Sequence, residues 1–534
     1  MPVPGVPPSG MKMRLLLSFS AANLLLFRCW QALLPGSTDQ YFGAWNPTIT
    51  SVAALLFLVT TATIAIYILS WIVYKKARLS GLPRSGFHVL ALVILQHPIR
   101  ETLTGSYSHL NLFILKSLIG RPVFYTVSLT LVVVAFFLIH RWPSQAEHLS
   151  RSALLLLLPL PLLCLGSILL QVRPGDGVVP QVTALAPGPP PARQLYLIVF
   201  DEWDYGWTFA HRPESLLLPH LDAFAKESFQ TQRAYPPASE TKRSIPSILS
   251  GRLFSEVATE PDCELSFKDA ESGQRYRLSE LEDLPLLASR QGKRTLLIDY
   301  YHAYGKRYQS QRKTLELCRL PYYAEWEKAE RSQGHFPAAV KFELSLAIES
   351  LPGLKGLLKD LELPHLRELH SNLLNRLLEE ASRPTHELVI VHLPVPHAPC
   401  LTPPSECGFH PGSLGNLRLV DEAIGALRNR LEERRAWNDS TIILTSDHWQ
   451  RAITAEGLPP RPPAFSAPEF AHRIPLLMKF AGPSAERHND TPMNNRVIHP
   501  LVKDWLFDAE LTSDRVAQWA GTFPPRGAYD PLIK

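Results

Sequence analysis

Four long apolar runs, all in the first third of the chain, restrict what that part of the sequence can fold into. Each is close to the ~20 residues that an α-helix needs to cross a bilayer. A bilayer admits only helices and closed barrels, because every backbone polar group must be satisfied internally. We therefore predict a domain of transmembrane helices at 1–172. The runs lie at 15–34, 50–74, 122–139 and 153–172, and a weaker run at 87–96 continues into polar residues up to 105.

The basic residues around these runs indicate their orientation. Lys12 precedes the first run and Lys75 follows the second, whereas the loop at 35–48 contains neither Lys nor Arg. Basic ends of transmembrane helices face the cytoplasm. If the weak run also spans, five helices result and the rest of the chain lies outside the cytoplasm. With four helices, it lies inside. We expect about five.

A linker and a second domain follow the apolar third. Residues 173–193 are rich in Pro and Gly without a period, which is typical of an extended linker. Residues 194–534 have the composition of a soluble domain. The net charge of the chain is only +5, and basic residues are interspersed with acidic ones, so no nucleic-acid partner is expected.

Apolar runs and helical patterns alternate through the second domain. This alternation predicts an α/β domain with a mostly parallel central sheet. In such sheets, ligands bind at the carboxyl ends of the strands. The predicted strands are 195–200, 294–300, 387–392, 441–444 and 473–480, and the predicted helices are 217–229, 278–291, 341–351, 364–382 and 416–435.

Acidic and histidine residues lie next to these predicted strands. Carboxylate oxygens and imidazole nitrogens are ligands that suit zinc, manganese or a related divalent ion. Taken alone, an aspartate after a strand is also typical of a helix cap, and a histidine of a satisfied core residue. Four strands with such neighbours predict a metal site instead. The residues concerned are Asp201, Glu202, His392, His397, Asp447, His448 and His472.

The segment 234–251 reads AYPPASETKRSIPSILSG and contains a candidate nucleophile. Thr241 is followed by Lys242 and Arg243 at a predicted loop-to-helix junction, where unpaired N–H groups and the helix dipole favour an anion. A hydroxyl beside cations or a metal is also more easily deprotonated. The alternative is a proline-rich turn before a short buried helix, with both cations as solvated surface charges.

The order of these motifs is an acid, a hydroxyl nucleophile, H-x4-H, D-H and H-x-x-P. It resembles that of the alkaline phosphatase/sulfatase superfamily, whose sequence family is the sulfatase N-terminal domain. Within the superfamily, the chain most resembles the membrane-anchored phosphoethanolamine transferases and the lipoteichoic-acid-synthase-like enzymes. This resemblance implies about five transmembrane helices, followed at 194–534 by an alkaline-phosphatase-like α/β/α sandwich with a mostly parallel sheet.

The resemblance also implies a role for each candidate residue. Thr241, in the motif T-x-x-S-x-P, falls where the transferases carry their nucleophile. A divalent metal is implied, with zinc expected first and manganese, magnesium or calcium as alternatives. The expected metal ligands are Asp201, Glu202, Asp447, His448, His397 and His472, and the expected substrate ligands are Lys242, Arg243 and His392.

The implied function is a phosphotransferase of the bacterial inner membrane with a periplasmic catalytic domain. It would move a phosphoethanolamine- or phosphoglycerol-type group from a phospholipid donor to an envelope glycan or lipid through phospho-Thr241. The alternatives are a phosphodiesterase or phosphatase of the same fold and a non-catalytic binding protein. Sulfatase activity is disfavoured because sulfatases need a Cys or Ser that becomes formylglycine. The chain also departs from the family at Trp449, where Gly is usual.

Four cysteines in the second domain allow disulfides in an oxidising compartment. Proximity favours the pair Cys400–Cys407, which would leave Cys263 and Cys318 as the second pair. Four free thiols are the alternative, because connectivity does not follow from sequence.

Overall fold

The computed structural model describes residues 11–34, 47–76, 121–170, 172, 182–186, 188–260, 264–305, 307–320, 335–349, 355–402, 413–451, 470, 472–482 and 486–525. Contacts within the chain divide it into two compact units. The first comprises Met1–Val178 and Glu325–Leu361, and the second comprises Val179–Ala324 and Glu362–Lys534.

The α-helices are named in chain order. They are α1 (Met11–Leu25), α2 (Phe27–Leu33), α3 (Ile49–Lys76), α4 (Arg121–Arg141), α5 (Pro143–Leu156), α6 (Leu160–Leu169), α7 (Pro219–Ala225), α8 (Thr241–Ser250), α9 (Leu284–Arg290), α10 (Phe336–Glu349), α11 (Lys355–Ser382), α12 (Ser413–Glu433), α13 (Ile498–Leu506) and α14 (Ser513–Ala520).

The strands are named in the same way. They are β1 (Val182–Thr183), β2 (Gln194–Asp201), β3 (Phe229–Thr231), β4 (Ala234–Tyr235), β5 (Phe254–Thr259), β6 (Leu265–Asp269), β7 (Arg275–Arg277), β8 (Thr295–Asp299), β9 (Leu315–Arg319), β10 (Leu388–Pro396), β11 (Ser440–Ser446), β12 (Leu476–Lys479), β13 (Arg487–Asn489) and β14 (Met493–Asn494).

The first unit contains helices that are long and apolar enough to cross a membrane. Two such helices occur among the described residues, Ile49–Val73 and Pro143–Leu169, and α1 with α2 would be a third if this pair, bent by 61°, is one span. The predicted run at 122–139 lies in α4, whose apolar segment Leu129–Arg141 is shorter than the two spans. The weak run at 87–105 lies outside the described residues. Two helices are therefore compatible with membrane anchoring, and a total of about five stays a prediction.

Helix α10 belongs to this first unit, although its sequence lies between elements of the second. The Cys29 thiol lies 3.1 Å from the Glu343 carbonyl oxygen of α10, and Phe336 packs edge-on against Phe57 with ring centroids 5.7 Å apart. The sequence prediction had placed α10 in the soluble domain by its position alone. An apolar helical pattern looks the same in either setting, so periodicity could not separate them.

The second unit is built on a nine-stranded sheet in the order β1-β9-β8-β10-β2-β11-β12-β3-β13. The five strands from β9 to β11 run parallel to one another, while β1 and β12 pair antiparallel at either side of them. This confirms the predicted α/β fold with a mostly parallel sheet. Two smaller sheets, β5-β6-β7 and β14-β4, lie outside it.

Strand β2 shows why the sheet is covered on both faces. Its whole length is buried, so it reads as a continuous apolar run rather than an alternating one. Tyr196, Ile198 and Phe200 pack with residues of α7, α11 and α12. Leu195, Leu197 and Val199, which point the other way, pack with residues of α8, α9, α13 and α14. Helices on both faces of the sheet are thus observed.

Parallel pairing brings the carboxyl ends of β2, β8, β10 and β11 to the same edge of the sheet. Their last residues are Asp201, Asp299, Pro396 and Ser446. The acids and histidines that follow these strands therefore converge, as the strand pattern predicted.

The cysteines of this unit correct one prediction. Cys318 lies in β9 and is a free thiol, so the predicted pair Cys263–Cys318 is wrong. Cys400 is disulfide-bonded. Cys263 and Cys407 both lie outside the described residues, so the pair Cys400–Cys407 stays a prediction.

Candidate active site

Thr241 is the first residue of α8, as the loop-to-helix prediction for this segment required. Glu240 before it has extended backbone angles and serves as the N-cap residue. The Thr241 hydroxyl donates a hydrogen bond to Asp447 Oδ2 over 2.6 Å and lies 3.4 Å from His448 Nε2. The candidate nucleophile is therefore in direct contact with two of the predicted metal ligands.

Asp201, Asp447 and His448 form what we call the metal-ligand group. One ligand atom from each lies within 4.8 Å of the others, and all three residues are buried. Asp201 Oδ1 has no hydrogen-bond partner among the described residues, although it is buried. A buried acceptor without a donor is unfavourable, and a cation would satisfy it. The donor set of two carboxylates and one imidazole fits a divalent metal.

The orientation of His448 leaves one ring nitrogen free to bind a metal. His448 Nδ1 lies 2.9 Å from the Trp449 carbonyl oxygen, which can only accept, so Nδ1 carries the proton. Nε2 then presents its lone pair 3.3 Å from Asp447 Oδ2 and 3.6 Å from Asp201 Oδ1. Burial, helped by the charge of Arg451, lowers the pKa of His448 to about 4, so the ring is neutral.

The two carboxylates of the group are held close together against their mutual repulsion. Asp447 Oδ1 accepts the backbone N–H groups of Glu202 (3.1 Å) and His448 (2.7 Å), which leaves Oδ2 for Thr241. Burial and the charge of Asp447 raise the pKa of Asp201, and burial also raises the pKa of Asp447. A cation between them would remove this repulsion.

Glu202, His397 and Arg451 form a second cluster, which we call the arginine group. Arg451 Nε donates to Glu202 Oε1 over 2.6 Å, and the Glu202 side chain is fully buried while that of Arg451 is 30% exposed. His397 Nε2 lies 3.4 Å from Arg451 Nη2 and 3.9 Å from Glu202 Oε2. Burial opposes protonation of His397, but the charges of Glu202 and Asp201 raise its pKa.

The backbone of Glu202 explains why two adjacent acids separate. Glu202 has a φ of 60°, in the left-handed region that non-glycine residues seldom adopt. Asp201 closes β2 and joins the metal-ligand group, while the Glu202 side chain pairs with Arg451. The structure therefore places Glu202 beside Arg451 and outside the three residues of the metal-ligand group, and its role as a metal ligand stays a prediction.

The structure brings together only part of the predicted site. Of the six predicted metal ligands it groups Asp201, Asp447 and His448, whereas Glu202 and His397 face Arg451. His472 stacks on Trp449, with ring centroids 3.8 Å apart and planes at 17°. Trp449, which replaces the usual Gly, thus packs against a predicted ligand.

The three predicted substrate ligands have different surroundings. Arg243 forms a buried ion pair with Glu240 (2.7 Å) and donates to the Ser255 carbonyl oxygen (2.8 Å), which favours a structural role. Lys242 is largely buried, and this burial lowers its pKa. His392 is buried behind Asp201, where its Nδ1 lies 3.0 Å from Asp299 Oδ1. Direct contact with a substrate stays a prediction for all three.

Sequence reasoning did not identify Arg451, Asp299 or Tyr300. Arg451 lies three residues after His448, and Asp299 and Tyr300 lie at the end of a predicted strand. Their position next to segments that were predicted to form the site could have identified them. The directions of their side chains, however, depend on the folded backbone.

Comparisons with known proteins find a matching sequence family and several similar solved structures. The family model described as Sulfatase matches residues 195–508. No curated protein matches the chain. Solved structures that resemble it include Ps i-CgsB in complex with k-i-k-neocarrahexaose, at 14% identity over 62% of this chain and 77% of that chain, with a TM-score of 0.42.

Two further solved structures are similar to the chain. The phosphonate monoester hydrolase of Agrobacterium radiobacter shares 15% identity over 63% of this chain and 79% of its own, with a TM-score of 0.38. A protein in the alkaline phosphatase superfamily from Vibrio parahaemolyticus shares 13% identity over 64% of this chain and 76% of its own, also with a TM-score of 0.38.

Proposed function

We propose, from the premise that this chain belongs to the sulfatase family, that it is a membrane-anchored, metal-dependent phosphotransferase. Its reaction would proceed through a covalent adduct on Thr241. The transferred group would be of the phosphoethanolamine or phosphoglycerol type, the donor a phospholipid, and the acceptor an envelope glycan or lipid. The identity of these partners rests on the family resemblance.

The contact between Thr241 and the metal-ligand group is the observation that supports this proposal. A threonine hydroxyl is a weak nucleophile unless a base or a metal favours its deprotonation. Here the Thr241 hydroxyl donates to Asp447 Oδ2, with 2.6 Å between the two oxygens, and Thr241 Oγ1 lies 3.4 Å from His448 Nε2. A divalent cation at this group would supply the positive charge that favours the alkoxide and offsets the charge of a phosphoryl group.

The proposed reaction has two displacement steps. In the first, the bond from Thr241 Oγ1 to phosphorus forms while the bond from phosphorus to the lipid alcohol breaks, and the departing oxygen ends with the proton that Thr241 loses. In the second, an acceptor hydroxyl forms a bond to phosphorus and the Oγ1–phosphorus bond breaks, so that a proton returns to Thr241. The enzyme is thereby restored and no oxidant or reductant is needed.

Fixed positive charge would hold the phosphoryl oxygens during both steps. Arg451 is partly exposed and beside the metal-ligand group, and Glu202 holds its guanidinium in place through a 2.6 Å bond. The N-terminus of α8, where Thr241 lies, also favours an anion. Preorganised donors of this kind stabilise charge that develops in a transition state.

Two observations bear on the choice between donors and reaction types. The apolar helices of the first unit are compatible with a lipid donor. Thr241 cannot be converted to formylglycine, which argues against sulfate esters as substrates. The second candidate is a hydrolase of the same fold in which water replaces the acceptor hydroxyl, because the same Thr241 geometry serves both.

A lipid-turnover assay with the full-length protein in detergent tests the proposal. Vesicles of phosphatidylethanolamine or phosphatidylglycerol would be supplied with Mn²⁺ or Zn²⁺, and diacylglycerol release and the fate of the head group would be followed by mass spectrometry. We expect metal-dependent release by the wild type and none by Thr241→Ala. A head group found on an acceptor supports the transferase, and a free phosphorylated head group supports the hydrolase. Rapid turnover of p-nitrophenyl sulfate would contradict both.

A further inference from the structure

The turn at 299–302, with the sequence DYYH, begins at the last residue of β8. Its side chains contact residues of the candidate site. Asp299, Tyr300 and His302 are almost completely buried. Each contacts a different part of the site: Tyr300 meets Asp201, Asp299 meets His392, and His302 Nε2 lies 3.5 Å from the Thr241 carbonyl oxygen. The reaction proposed above assigns none of them a role.

Tyr300 forms a hydrogen bond with only one of the two carboxylate oxygens of Asp201. Its phenol donates a hydrogen bond to Asp201 Oδ2. The other oxygen, Oδ1, is buried without a hydrogen-bond partner among the described residues and lies 3.6 Å from His448 Nε2. One oxygen is therefore occupied by a protein donor, and the oxygen that remains is the one that faces the metal-ligand group.

Asp299 and His392 hold the phenol in this position. Asp299 Oδ2 accepts the backbone N–H groups of Tyr301 (2.9 Å) and His302 (2.6 Å), which leaves Oδ1 to accept from His392 Nδ1 at 3.0 Å. The His392 ring packs against the Tyr300 ring with centroids 4.5 Å apart and planes at 30°. His392 Nε2 is 3.5 Å from the phenol oxygen. The packed rings of Tyr300 and His392 are thus held by Asp201 on one side and by Asp299 on the other.

We propose that Tyr300, held by Asp299 and His392, is a positioning residue that makes Asp201 bind the metal through Oδ1 alone. This inference rests on the proposed function in one respect, namely that the metal-ligand group binds a divalent ion. Residues that form hydrogen bonds with a metal ligand fix the orientation of that ligand, and their loss lowers metal affinity by roughly 10–100-fold. It also gives His392 a role different from the predicted contact with substrate.

Tyr308 offers a matched control for the removal of the phenol hydroxyl. Its phenol donates to Asp283 Oδ2 over 2.7 Å, and both residues are buried. Asp283 caps α9 and is not part of the site. Tyr300→Phe and Tyr308→Phe therefore each delete one buried bond from a phenol to a carboxylate, and only the first of these carboxylates is a metal-ligand candidate.

The experiment measures Co²⁺ binding to the full-length protein, by titration and by the visible d–d bands, with Tm as the record of stability. For Tyr300→Phe we expect the Kd for Co²⁺ to rise by about 10–100-fold. We also expect weaker d–d bands, because an unrestrained Asp201 carboxylate can bind through both oxygens and raise the coordination number. Tyr308→Phe should lower Tm but keep the wild-type Kd and spectrum.

Asp299→Asn is a second variant, which keeps the shape of the side chain but weakens its hold on His392. It should change the Kd and the spectrum in the same direction as Tyr300→Phe, by a smaller factor. If the wild type binds Co²⁺ and both variants keep its Kd and spectrum, the positioning role is overturned and the proposed function stands. If the wild type binds no Co²⁺, Mn²⁺ or Zn²⁺, the proposed function fails and this inference fails with it.

Discussion

The metal-ligand group and the arginine group contain the adjacent acids Asp201 and Glu202, yet they neutralise negative charge in opposite ways. In the metal-ligand group, burial and like charge raise the pKa of Asp201, and its Oδ1 has no partner among the described residues. In the arginine group, Glu202 already pairs with a guanidinium at 2.6 Å. The proposed metal would supply the positive charge of the first group, whereas Arg451 supplies that of the second.

This difference indicates that the two groups have different functions in the site. We propose that the metal-ligand group binds an ion, so its properties should vary with metal concentration and pH. The charge of Arg451 does not vary in the physiological range, because an arginine is always protonated there. The left-handed backbone of Glu202 (φ 60°) allows one short turn to serve both groups, and such a conformation costs about 1–3 kcal/mol. Substitutions in each group should therefore have separable effects.

Asp447→Asn should have the largest effect, because it removes a proposed metal ligand and the acceptor of the Thr241 proton. We expect turnover to fall at least on the order of 10³-fold, as when a group that acts directly on the reacting atoms is lost. Saturating metal should raise the stability of the wild type by about 2.7 kcal/mol at 100 times its Kd, and that of the variant much less. Equal metal-induced shifts in Tm for both proteins would contradict the assignment.

Arg451→Met should have the next largest effect, on activity rather than on metal binding. Loss of one preorganised charge at the transition state typically reduces turnover by about 10²-fold or more. Arg451→Lys is the matched control, and it should recover part of the activity because it keeps the charge without the fork-shaped geometry. The two groups would not be separable if Arg451→Met weakened Mn²⁺ binding as strongly as Asp447→Asn.

The stability of the metal-free protein should depend on pH through the metal-ligand group. Burial and the charge of Asp447 raise the folded-state pKa of Asp201 above the ordinary 3.8, and burial raises that of Asp447. A raised carboxyl pKa gives a contribution to stability that is fully present below the unfolded pKa and is lost as pH rises through the folded pKa. Metal-free Tm should therefore contain a component that falls as pH rises above about 4, and this component should be smaller in Asp447→Asn.

Metal should reverse this trend, because binding requires deprotonated ligands. In saturating Mn²⁺, the wild-type Tm should rise over the same pH interval. Thermal scans at a series of pH values with and without metal make the comparison. A metal-free Tm that rises with pH as steeply in the wild type as in Asp447→Asn would show that the carboxylates do not repel each other.

The smallest effect on activity is expected at Arg243, which the sequence placed among the substrate ligands. Its side chain and that of Glu240 are only 5% and 11% exposed, so Arg243→Met leaves a buried acid without its partner. The expected loss of stability is roughly 3–5 kcal/mol. At a temperature where the variant is folded, kcat/KM should stay within a few-fold of the wild type. A large loss of kcat/KM with unchanged Tm would restore Arg243 as a substrate ligand.

The parts of this fold that were predictable depend on local sequence patterns. The five predicted strands are all present, since buried parallel strands read as uninterrupted apolar runs, and three of the predicted metal ligands come together because parallel strands end at one edge. Thr241 was predicted from the two cations that follow it at a loop-to-helix junction and from the T-x-x-S-x-P motif of the family resemblance. Strand β9 was missed because LELCR alternates polar and apolar residues at the border of the parallel strands.

The parts that were not predictable depend on side-chain directions set by distant residues. The separation of Glu202 from Asp201 follows from a backbone angle, and the place of His392 follows from Asp299, 93 residues earlier in the chain. Helix α10 could not be assigned to its unit, because helical periodicity does not say which surface a helix covers. Spacing between motifs predicts which strands meet, but not which atoms face each other.

The most direct test of the account is the intact mass of the full-length protein after incubation with Mn²⁺ or Zn²⁺ and a phosphatidylethanolamine or phosphatidylglycerol donor, followed by an acid quench. Phosphothreonine esters survive such a quench. We predict a covalent adduct on the wild type whose mass equals the transferred head-group phosphate, located at Thr241 by peptide mapping, and no adduct on Thr241→Ala. Donor turnover by Thr241→Ala at the wild-type rate, or an adduct on another residue such as Ser239 or Ser244, would contradict the account.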